Sequence, residues 1–387
     1  MAVALINGRV LLDDGFAKDR AVVLEGGRIA AILPHSDLPA AMPRRDLGGG
    51  MLLPGFIDTQ VNGGGGVLFN DEPSLDGIAA IGRAHRAFGT TGFLPTLITD
   101  GIGRIEQAMD AADAAIDAGV PGVLGVHIEG PFINQLRNGI HDRSKIRSID
   151  TDAVTLLSRP ARGRTLVTLA PEKVPVALIA ELAQAGVIVS AGHSEASAAV
   201  VRTALDHGLT GFTHLFNGMP PLCNRAPGVV GAALDDDASW CGIIVDGRHV
   251  DPIVLRLALR STRIARFMLV SDAMPTVGQA EKRFQLQGRD IVVRDGVCVD
   301  QEGTLAGSDL DMASAVRNAV DLLGLSVADA VRMASRNPAE FLRMGHERGR
   351  IAPGYFADLV LADDQLNILE SWIGGEPGEA EPHLAYA

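Results

Sequence analysis

Three side chains that can bind a metal ion each stand where an apolar run of the sequence turns polar. They are Glu129, His193 and His214. One carboxylate and two imidazoles supply three ligands to a divalent metal and leave the fourth position to water, as in hydrolytic zinc sites. A cation held in this way lowers the pKa of the bound water and polarises a carbonyl group. Each histidine alone has a simpler reading as a hydrogen-bonded residue, but three such residues on separate segments predict a catalytic metal centre.

A fourth candidate, Asp272, follows the apolar run 266–270. A carboxylate beside the predicted metal can take a proton from water and return it to a leaving amine. The alternative roles are a helix N-cap or a salt-bridge partner. His127 stands two residues before Glu129, on the same face of a strand, and we assign it no role.

Cationic groups that could bind an anionic substrate follow two of the apolar runs. Arg225 lies in the long segment after His214, and Asp246-Gly247-Arg248-His249 follows a later run. A guanidinium group presents a planar fork that fits phosphate or carboxylate. The chain carries 34 Lys and Arg against 47 Asp and Glu, a net charge of −13, so an anionic substrate needs a local basic pocket. A surface arginine without a specific role is the alternative for Arg225.

The frame that positions these residues is predicted from eight short apolar segments, several of which precede a stretch with helical periodicity. The predicted strands are residues 55–62, 92–98, 123–130, 165–172, 187–194, 211–216, 241–247 and 266–273. Eight such units predict a (β/α)8 barrel, whose enzymes build their sites at the C-terminal strand ends. A doubly wound sheet is the competing architecture, but the sequence lacks its Gly-x-Gly-x-x-Gly signature. Residues 284–304 interrupt the alternation and predict a hairpin or loop insertion.

Both ends of the sequence have a different pattern from the middle. Short β-rich runs separated by turns cover the first part, and a turn at 349–354 leads into an apolar run at 357–361. We therefore predict a small, discontinuous β-sandwich domain from residues 1–53 and 345–387, and a barrel domain from residues 54–344.

Composition narrows the classes of protein. A hydrophobic share of 47% and a charged share of 21% are typical of a globular chain, and the negative charge disfavours nucleic acid and anionic membranes. The first residues lack the basic region of a signal peptide and no apolar run is long enough to span a bilayer, so we expect a cytoplasmic protein. Cys223, Cys241 and Cys298 form no Cys-x-x-Cys pair and are expected to be reduced thiols.

Several motifs resemble those of the N-acetylglucosamine-6-phosphate deacetylases, within the amidohydrolase superfamily, and the resemblance extends over nearly the whole chain. The motifs are Pro54-Gly55-Phe56-Ile57-Asp58, His127-Ile128-Glu129-Gly130-Pro131-Phe132, Gly192-His193-Ser194, His214-Leu215-Phe216-Asn217-Gly218-Met219-Pro220-Pro221, Val270-Ser271-Asp272-Ala273 and Leu305-Ala306-Gly307-Ser308. The first motif occurs across the superfamily, whereas the middle ones are specific to this group.

The resemblance implies hydrolysis of the N-acetyl group of N-acetylglucosamine 6-phosphate, with Glu129, His193 and His214 as metal ligands and Asp272 as general acid/base. It implies that His141 helps to polarise the amide carbonyl, and that Arg225 and His249 contact the phosphate. It further implies a homodimer in which this arginine reaches the site of the neighbouring subunit. The substrate contacts that it implies are Ile140, His141, Asn217, Gly218, Arg225, Asp246, His249, Leu305, Ala306 and Gly307.

Two positions depart from common patterns. Many amidohydrolases begin with His-x-His for a second metal, whereas this chain has Gln60 and Asn62, a possible remnant of that second-metal site. Amides are poor ligands, so we expect one divalent metal per subunit, zinc first, with Fe, Co, Mn, Ni or Cd as alternatives. Gly218 stands where related enzymes commonly have alanine, which loosens the loop.

Two other functions stay open at the level of the sequence. One is a cyclic-amide hydrolase similar to dihydroorotase, which typically uses the histidine pair and a carbamylated lysine, although the fourth predicted strand contains no lysine. The other is a barrel that has lost catalysis and acts as a binding protein. The sequence leaves the metal, the preferred sugar epimer and any assembly beyond a dimer undetermined.

Overall fold

A computed structural model describes residues 2–378, so residues 379–387, which we assigned to the small domain, lie outside the described part. The strands of the described part are β1 (Val3–Ile6), β2 (Arg9–Leu12), β3 (Gly15–Ala17), β4 (Arg20–Glu25), β5 (Arg28–Pro34), β6 (Arg44–Asp46), β7 (Met51–Pro54), β8 (Phe56–Val61), β9 (Gly63–Gly64), β10 (Val67–Leu68), β11 (Thr90–Ile98), β12 (Gly125–Glu129), β13 (Arg164–Leu169), β14 (Ile188–Ala191), β15 (Leu209–Phe212), β16 (Trp240–Ile243), β17 (Phe267–Leu269), β18 (Arg283–Leu286), β19 (Arg289–Arg294), β20 (Val297–Val299), β21 (Leu305–Ser308), β22 (Leu359–Ala362), β23 (Ile368–Ile373) and β24 (Glu376–Pro377). The helices are α1 (Leu75–Arg86), α2 (Ile102–Asp117), α3 (Thr151–Leu157), α4 (Val176–Gln184), α5 (Ala198–Asp206), α6 (Gly228–Asp235), α7 (Pro252–Ser261), α8 (Met312–Asp321), α9 (Val327–Ala334) and α10 (Arg336–Phe341).

Strands β8 and β11 to β17 form a parallel sheet in which each strand pairs with the next one along the chain. The first and last strands are joined beyond the end of β17, where the Asp272 amide donates to the Gln60 carbonyl at 3.0 Å and Val61 bridges Ala273 in parallel. These contacts confirm the predicted (β/α)8 barrel. The observed strands end before several of the predicted ones, because the last polar residues of each predicted strand turn into the loops that line the barrel mouth.

The barrel helices form because their apolar residues recur on one face and their first turns are capped. Helix α1 begins after Ser74, whose Oγ accepts the Gly77 amide at 3.0 Å, and it buries Ile78 and Ile81 against the sheet. Strand β12 is buried along its whole length, because the interior of the barrel covers one face and the helices cover the other. The strand ends are therefore held on a rigid frame.

Two further sheets form a β-sandwich that draws strands from both ends of the chain, as predicted. One sheet has the order β5-β4-β1-β6, and the other has the order β24-β23-β22-β7-β2-β3. Leu5 and Val22 from the first sheet share a buried core with Leu52, Leu359 and Trp372 from the second. The pairing of β7 with β22 ties the N-terminal part to the C-terminal part.

The insertion that we predicted as a hairpin or loop is an antiparallel sheet of four strands, β18 to β21. The last of them returns to the barrel, where Ser308 bridges Ala273 at the end of the eighth barrel strand. Leu286 and Ile291 of the insertion are fully buried in a cluster that includes Ile140. The insertion thus forms a wall beside the barrel mouth. Among the helices of residues 2–378, none combines the length and hydropathy that crossing a membrane requires.

Candidate metal centre

The three predicted metal ligands converge at the C-terminal ends of three barrel strands. Oε1 of Glu129 lies 3.2 Å from Nε2 of His193 and 2.9 Å from Nε2 of His214, and the two Nε2 atoms are 3.1 Å apart. All three side chains are buried. Two imidazole nitrogens and a carboxylate oxygen that lie this close together are a donor set that divalent metals bind. The group can therefore hold one divalent metal ion.

A hydrogen bond holds the ring of His193 in place on the side opposite the metal-binding group. Its Nδ1 lies 2.7 Å from the carbonyl oxygen of Arg137, so Nδ1 carries the proton that it donates and Nε2 presents its lone pair. Metal-binding histidines commonly have such a partner, which sets the tautomer and the ring orientation. The donor set and its surroundings therefore fit a bound cation.

The backbone at these positions departs from ordinary geometry. His193, His214 and Asp272 have φ angles of 49°, 31° and 53°, in the left-handed region that residues other than glycine rarely adopt. Such conformations cost about 1–3 kcal/mol each and persist where the surrounding structure enforces them. Glu129 is followed by Gly130, which has φ 90° and where a Cβ would lie 2.2 Å from Oγ1 of Thr99. Only glycine fits the turn that leaves the third strand.

Gln60 and Asn62 act as hydrogen-bond donors and not as ligands. Nε2 of Gln60 lies 3.2 Å from each oxygen of Glu129 and 3.1 Å from Oδ1 of Asp272. Nδ2 of Asn62 donates to the same Oδ1 at 2.7 Å. The two amides thus hold Asp272 at a fixed place beside the metal-binding group.

The charges of the cluster are strongly coupled. Burial opposes the ionisation of Glu129, but its close contacts with His193 and His214 and the charge of His214 hold its pKa well below the usual range. Burial raises the pKa of Asp272, and the nearby Glu129 charge adds to that shift. Burial lowers the pKa of His214, but the hydrogen bond to Glu129 and the negative charges of Glu129 and Asp272 together outweigh burial, so the pKa is raised. The carboxylate of Glu129 is therefore kept ionised, whereas that of Asp272 is made a better proton acceptor.

His141 lies next to this cluster, with its ring centroid 4.4 Å from that of His193. Its Nδ1 accepts hydrogen bonds from the Thr99 amide at 3.3 Å and from Oγ1 of Thr99 at 2.7 Å. Because Nδ1 is an acceptor, the proton of the neutral ring is on Nε2. Burial lowers the pKa of His141 to about 3, so the ring is neutral. A neutral ring with a proton on Nε2 can donate to a carbonyl oxygen.

The segment after His214 packs directly on the metal-binding group. The Asn217 side chain donates to the His214 carbonyl at 3.1 Å, and the Gly218 carbonyl accepts the Ser194 amide at 3.0 Å. Gly218 has φ 62°, and a Cβ there would lie 2.9 Å from Nδ1 of His193. The loop therefore needs a small residue at this position.

The predicted phosphate contacts are found in two different settings. His249 donates from Nδ1 to Oδ2 of Asp246 at 2.5 Å, and Asp246 also accepts the His249 amide, so this pair is rigid. Arg225 lies in the exposed segment 221–227.

The remaining predicted substrate residues lie around the insertion. Ile140 is 7% exposed, Leu305 is 38% exposed and Ala306 is fully buried. Gly307 has φ 68°, and a Cβ there would lie 2.8 Å from the Asp272 carbonyl oxygen. Residues 305–307 therefore run alongside the end of the eighth barrel strand.

Some residues that support the site had no role assigned to them from the sequence, although Asp58 and His127 belong to the quoted motifs. Asp58 is fully buried, and its Oδ1 accepts the amides of Gln60 and Ser271 at 3.2 and 3.3 Å. Burial raises the pKa of Asp58 to about 7. The Arg137 carbonyl, which orients His193, belongs to the main chain, so no residue type marks it. His127, to which we assigned no role, contacts Oγ1 of Thr168 at 2.8 Å.

Comparison with known proteins is consistent with this geometry. Residues 51–381 match the amidohydrolase family and residues 3–52 match the NagA composite domain. The chain is 44% identical to an N-acetylgalactosamine-6-phosphate deacetylase of Shewanella sp. (strain ANA-3), over 96% of this chain and 94% of the relative. It is 32% identical to the N-acetylglucosamine-6-phosphate deacetylase of Haemophilus influenzae, over 97% of this chain and 99% of that relative.

A solved structure is also similar over its whole length. The crystal structure of N-acetylglucosamine-6-phosphate deacetylase from Pasteurella multocida superposes with a TM-score of 0.95 at 35% identity, covering 98% of this chain and 100% of that one. The resemblance inferred from the motifs is thereby confirmed. The chain belongs to the amidohydrolase family and, within it, groups with the N-acetylhexosamine-6-phosphate deacetylases.

Proposed function

We propose that the protein hydrolyses the N-acetyl amide of N-acetylglucosamine 6-phosphate to acetate and glucosamine 6-phosphate, with one divalent metal held by Glu129, His193 and His214. The observation that carries the proposal is the convergence of these three ligand atoms beside Asp272, to which Gln60 connects them. A bound divalent cation supplies Lewis acidity and an acidified water molecule. Two nitrogens and one carboxylate oxygen favour zinc, with Fe, Co, Mn, Ni or Cd as alternatives.

Asp272 is the proton carrier in this proposal. Oδ1 is occupied by the amides of Gln60 and Asn62, which leaves Oδ2 to take the proton from the attacking water. The carbon–oxygen bond forms, the carbon–nitrogen bond breaks, and Asp272 returns the proton to the leaving amine nitrogen. His141 donates from Nε2 to the amide carbonyl oxygen, where negative charge develops.

The phosphate would be held by cationic groups at the rim. We infer a homodimer in which Arg225 reaches the neighbouring subunit's site, together with a contribution from His249. The exposure of segment 221–227 supports this arrangement. Three apolar side chains, one in this segment and two on α7, are also exposed: Leu222 by 56%, Ile253 by 59% and Leu257 by 58%. Leu222 packs on α6, which in turn contacts α7. Such an apolar face is typical of an interface.

The galactosamine epimer is a second candidate substrate. It is favoured by the 44% identity to the Shewanella relative, which exceeds the 32% identity to the Haemophilus one. A cyclic amide is disfavoured by β13, which contains no lysine, and by Gln60 and Asn62, which serve as donors. A panel of both N-acetylhexosamine 6-phosphates and dihydroorotate, assayed for hydrolysis, separates these alternatives.

The decisive test is Asp272→Asn. The asparagine oxygen can still accept from Gln60 and Asn62, so the metal content should stay at the wild-type level while kcat falls by about 10²- to 10⁴-fold, because the proton acceptor is lost. Acetate release and metal content are measured on the same preparation. Asp206→Asn, at the exposed end of α5, is the control and should retain the wild-type rate. A wild-type rate in Asp272→Asn would rule out the assignment.

A further inference from the structure

Glu172 is a carboxylate just beyond the fourth barrel strand that touches none of the ligand atoms but binds the segments around them. Its Oε2 accepts from Oγ of Ser194 at 2.7 Å. Its Oε1 accepts from the Glu195 amide at 2.7 Å and from Nδ2 of Asn134 at 2.8 Å. Three donors from two distant parts of the chain thus meet on one side chain.

The two parts are the segments that carry His193 and His141. Asn134 belongs to the loop after the third strand, and its amide donates to the His193 carbonyl at 2.9 Å. The same loop supplies the Arg137 carbonyl, 2.7 Å from Nδ1 of His193, and then reaches His141. Glu172 therefore joins the loop of His141 to the loop of His193 directly behind the metal-binding group.

The backbone of His193 needs such support, because its φ of 49° is unfavourable. Ser194 is fully buried and Asn134 is 4% exposed, so their hydrogen bonds to Glu172 are shielded from water. The neighbouring ion pair between Arg137 and Glu195 is about one third exposed on both sides. Exposed ion pairs contribute little, so the buried hydrogen bonds of Glu172 are the side-chain connection that adds to the two direct contacts of His193 with Asn134 and Arg137.

We propose that Glu172 is a positioning residue that sets the place of the metal ligand His193 and, through Asn134, the spacing between His193 and His141. The inference rests on the metal site proposed above. The carboxylate serves all three donors at once, with Oε1 accepting two hydrogen bonds and Oε2 one, and its removal takes all three away from the two loops. The affinity for the metal and the catalytic rate should then fall together, although Glu172 contacts neither metal nor substrate.

The experiment compares Glu172→Ala, Glu172→Gln and Glu181→Ala. The dissociation constant for Zn²⁺ is measured on the metal-free protein by competition with a chromophoric chelator. We expect Glu172→Ala to weaken Zn²⁺ binding by about 10- to 100-fold, as other outer contacts of metal ligands do. At saturating Zn²⁺, kcat for acetate release should fall while KM changes by less than about threefold.

Glu172→Gln keeps one oxygen for Asn134 and the Glu195 amide and can donate to Ser194, so it should restore most of the affinity. Glu181 lies on the exposed face of α4, so Glu181→Ala should match the wild type in Zn²⁺ affinity and in kcat. A merely structural role would lower the melting temperature of the metal-free protein and leave its Zn²⁺ affinity intact. Unchanged affinity in a folded Glu172→Ala protein overturns the inference.

If Glu172→Ala does not fold, Ser194→Ala tests the same connection by removing one of its three hydrogen bonds. We expect about a 3- to 10-fold loss of Zn²⁺ affinity, and an unchanged value overturns the inference. If the proposed function were wrong, the wild type itself would bind no Zn²⁺ or release no acetate. This result differs from the one that overturns the inference on Glu172, in which only the variants are informative.

Discussion

Asp58 allows a quantitative test of the electrostatics of the barrel seam, the contact between its first and last strands. The side chain is fully buried, and burial raises its pKa from 3.8 to about 7. Its Oδ2 has no hydrogen-bond partner among the described residues. Asp58→Asn keeps an oxygen for the amides of Gln60 and Ser271 and removes the ability to ionise.

The direction in which pH changes the free energy of unfolding follows from the number of protons bound by the folded and the unfolded protein. Between pH 4 and pH 7 the folded wild type retains the Asp58 proton, whereas the unfolded chain has released it. The free energy of unfolding of the wild type therefore falls by about 1.4 kcal/mol per pH unit in this window, relative to a variant without the carboxyl group. The difference between the two proteins should shift by about 2 kcal/mol in favour of Asp58→Asn from pH 5 to pH 7, because half of the folded wild type has lost the proton by pH 7.

The amide nitrogen of the asparagine takes the place of Oδ2, and whatever stability this exchange costs the folded protein is the same at every pH. This constant lowers the stability of the variant equally at both ends and leaves the shift unchanged. The variant therefore gains stability relative to the wild type as the pH rises from 5 to 7, whichever protein is the more stable at pH 5.

The assay is urea unfolding at pH 5, 6, 7 and 8, followed by the fluorescence of Trp240 and Trp372, with a chelator in every sample so that metal binding does not contribute. The other titrating groups are common to both proteins and cancel in the difference. A difference that stays constant across the pH range would refute the reasoning, since it would mean that Asp58 is ionised in the folded protein throughout.

Three further predictions test the site and the assembly. Arg225→Ala should raise KM for N-acetylhexosamine 6-phosphates by about 10- to 100-fold and leave unphosphorylated N-acetylhexosamines unaffected, so equal losses with both would contradict the phosphate role. Leu257→Asp, on the exposed face of α7, should convert a dimer into monomers in sedimentation velocity runs, and an unchanged mass would place the interface elsewhere. The wild type should gain about 4 kcal/mol of stability from Zn²⁺ at 1,000 times its dissociation constant, a gain that Glu129→Ala should lose if the metal is bound as proposed.

Local sequence patterns predicted much of the frame. Apolar runs located all eight barrel strands, because strands buried on both faces have a continuous apolar signature. The same runs pointed to Glu129, His193 and His214, because polar residues at strand ends have few structural reasons to be there. The predicted domain bounds and the individual substrate contacts remain predictions.

Other features depend on contacts that no local pattern encodes. Residues 284–304 form most of a four-stranded sheet, whose Leu286 and Ile291 are buried in one cluster with Ile140, far away in sequence. The role of Glu172 depends on partners at positions 134 and 194. Local periodicity therefore predicts the barrel strands, whereas the contacts that hold the metal-binding residues in place are visible only in the three-dimensional structure.

The barrel is closed by the residues that would carry out the chemistry. The amide of Asp272 holds the carbonyl of Gln60, and the side chain of Gln60 holds the carboxylate of Asp272 in return. A small opening of this junction would displace the proton carrier before any helix or strand is lost. Acetate release should consequently decline at lower temperature or urea concentration than circular dichroism does, which would make turnover an early reporter of damage to the fold.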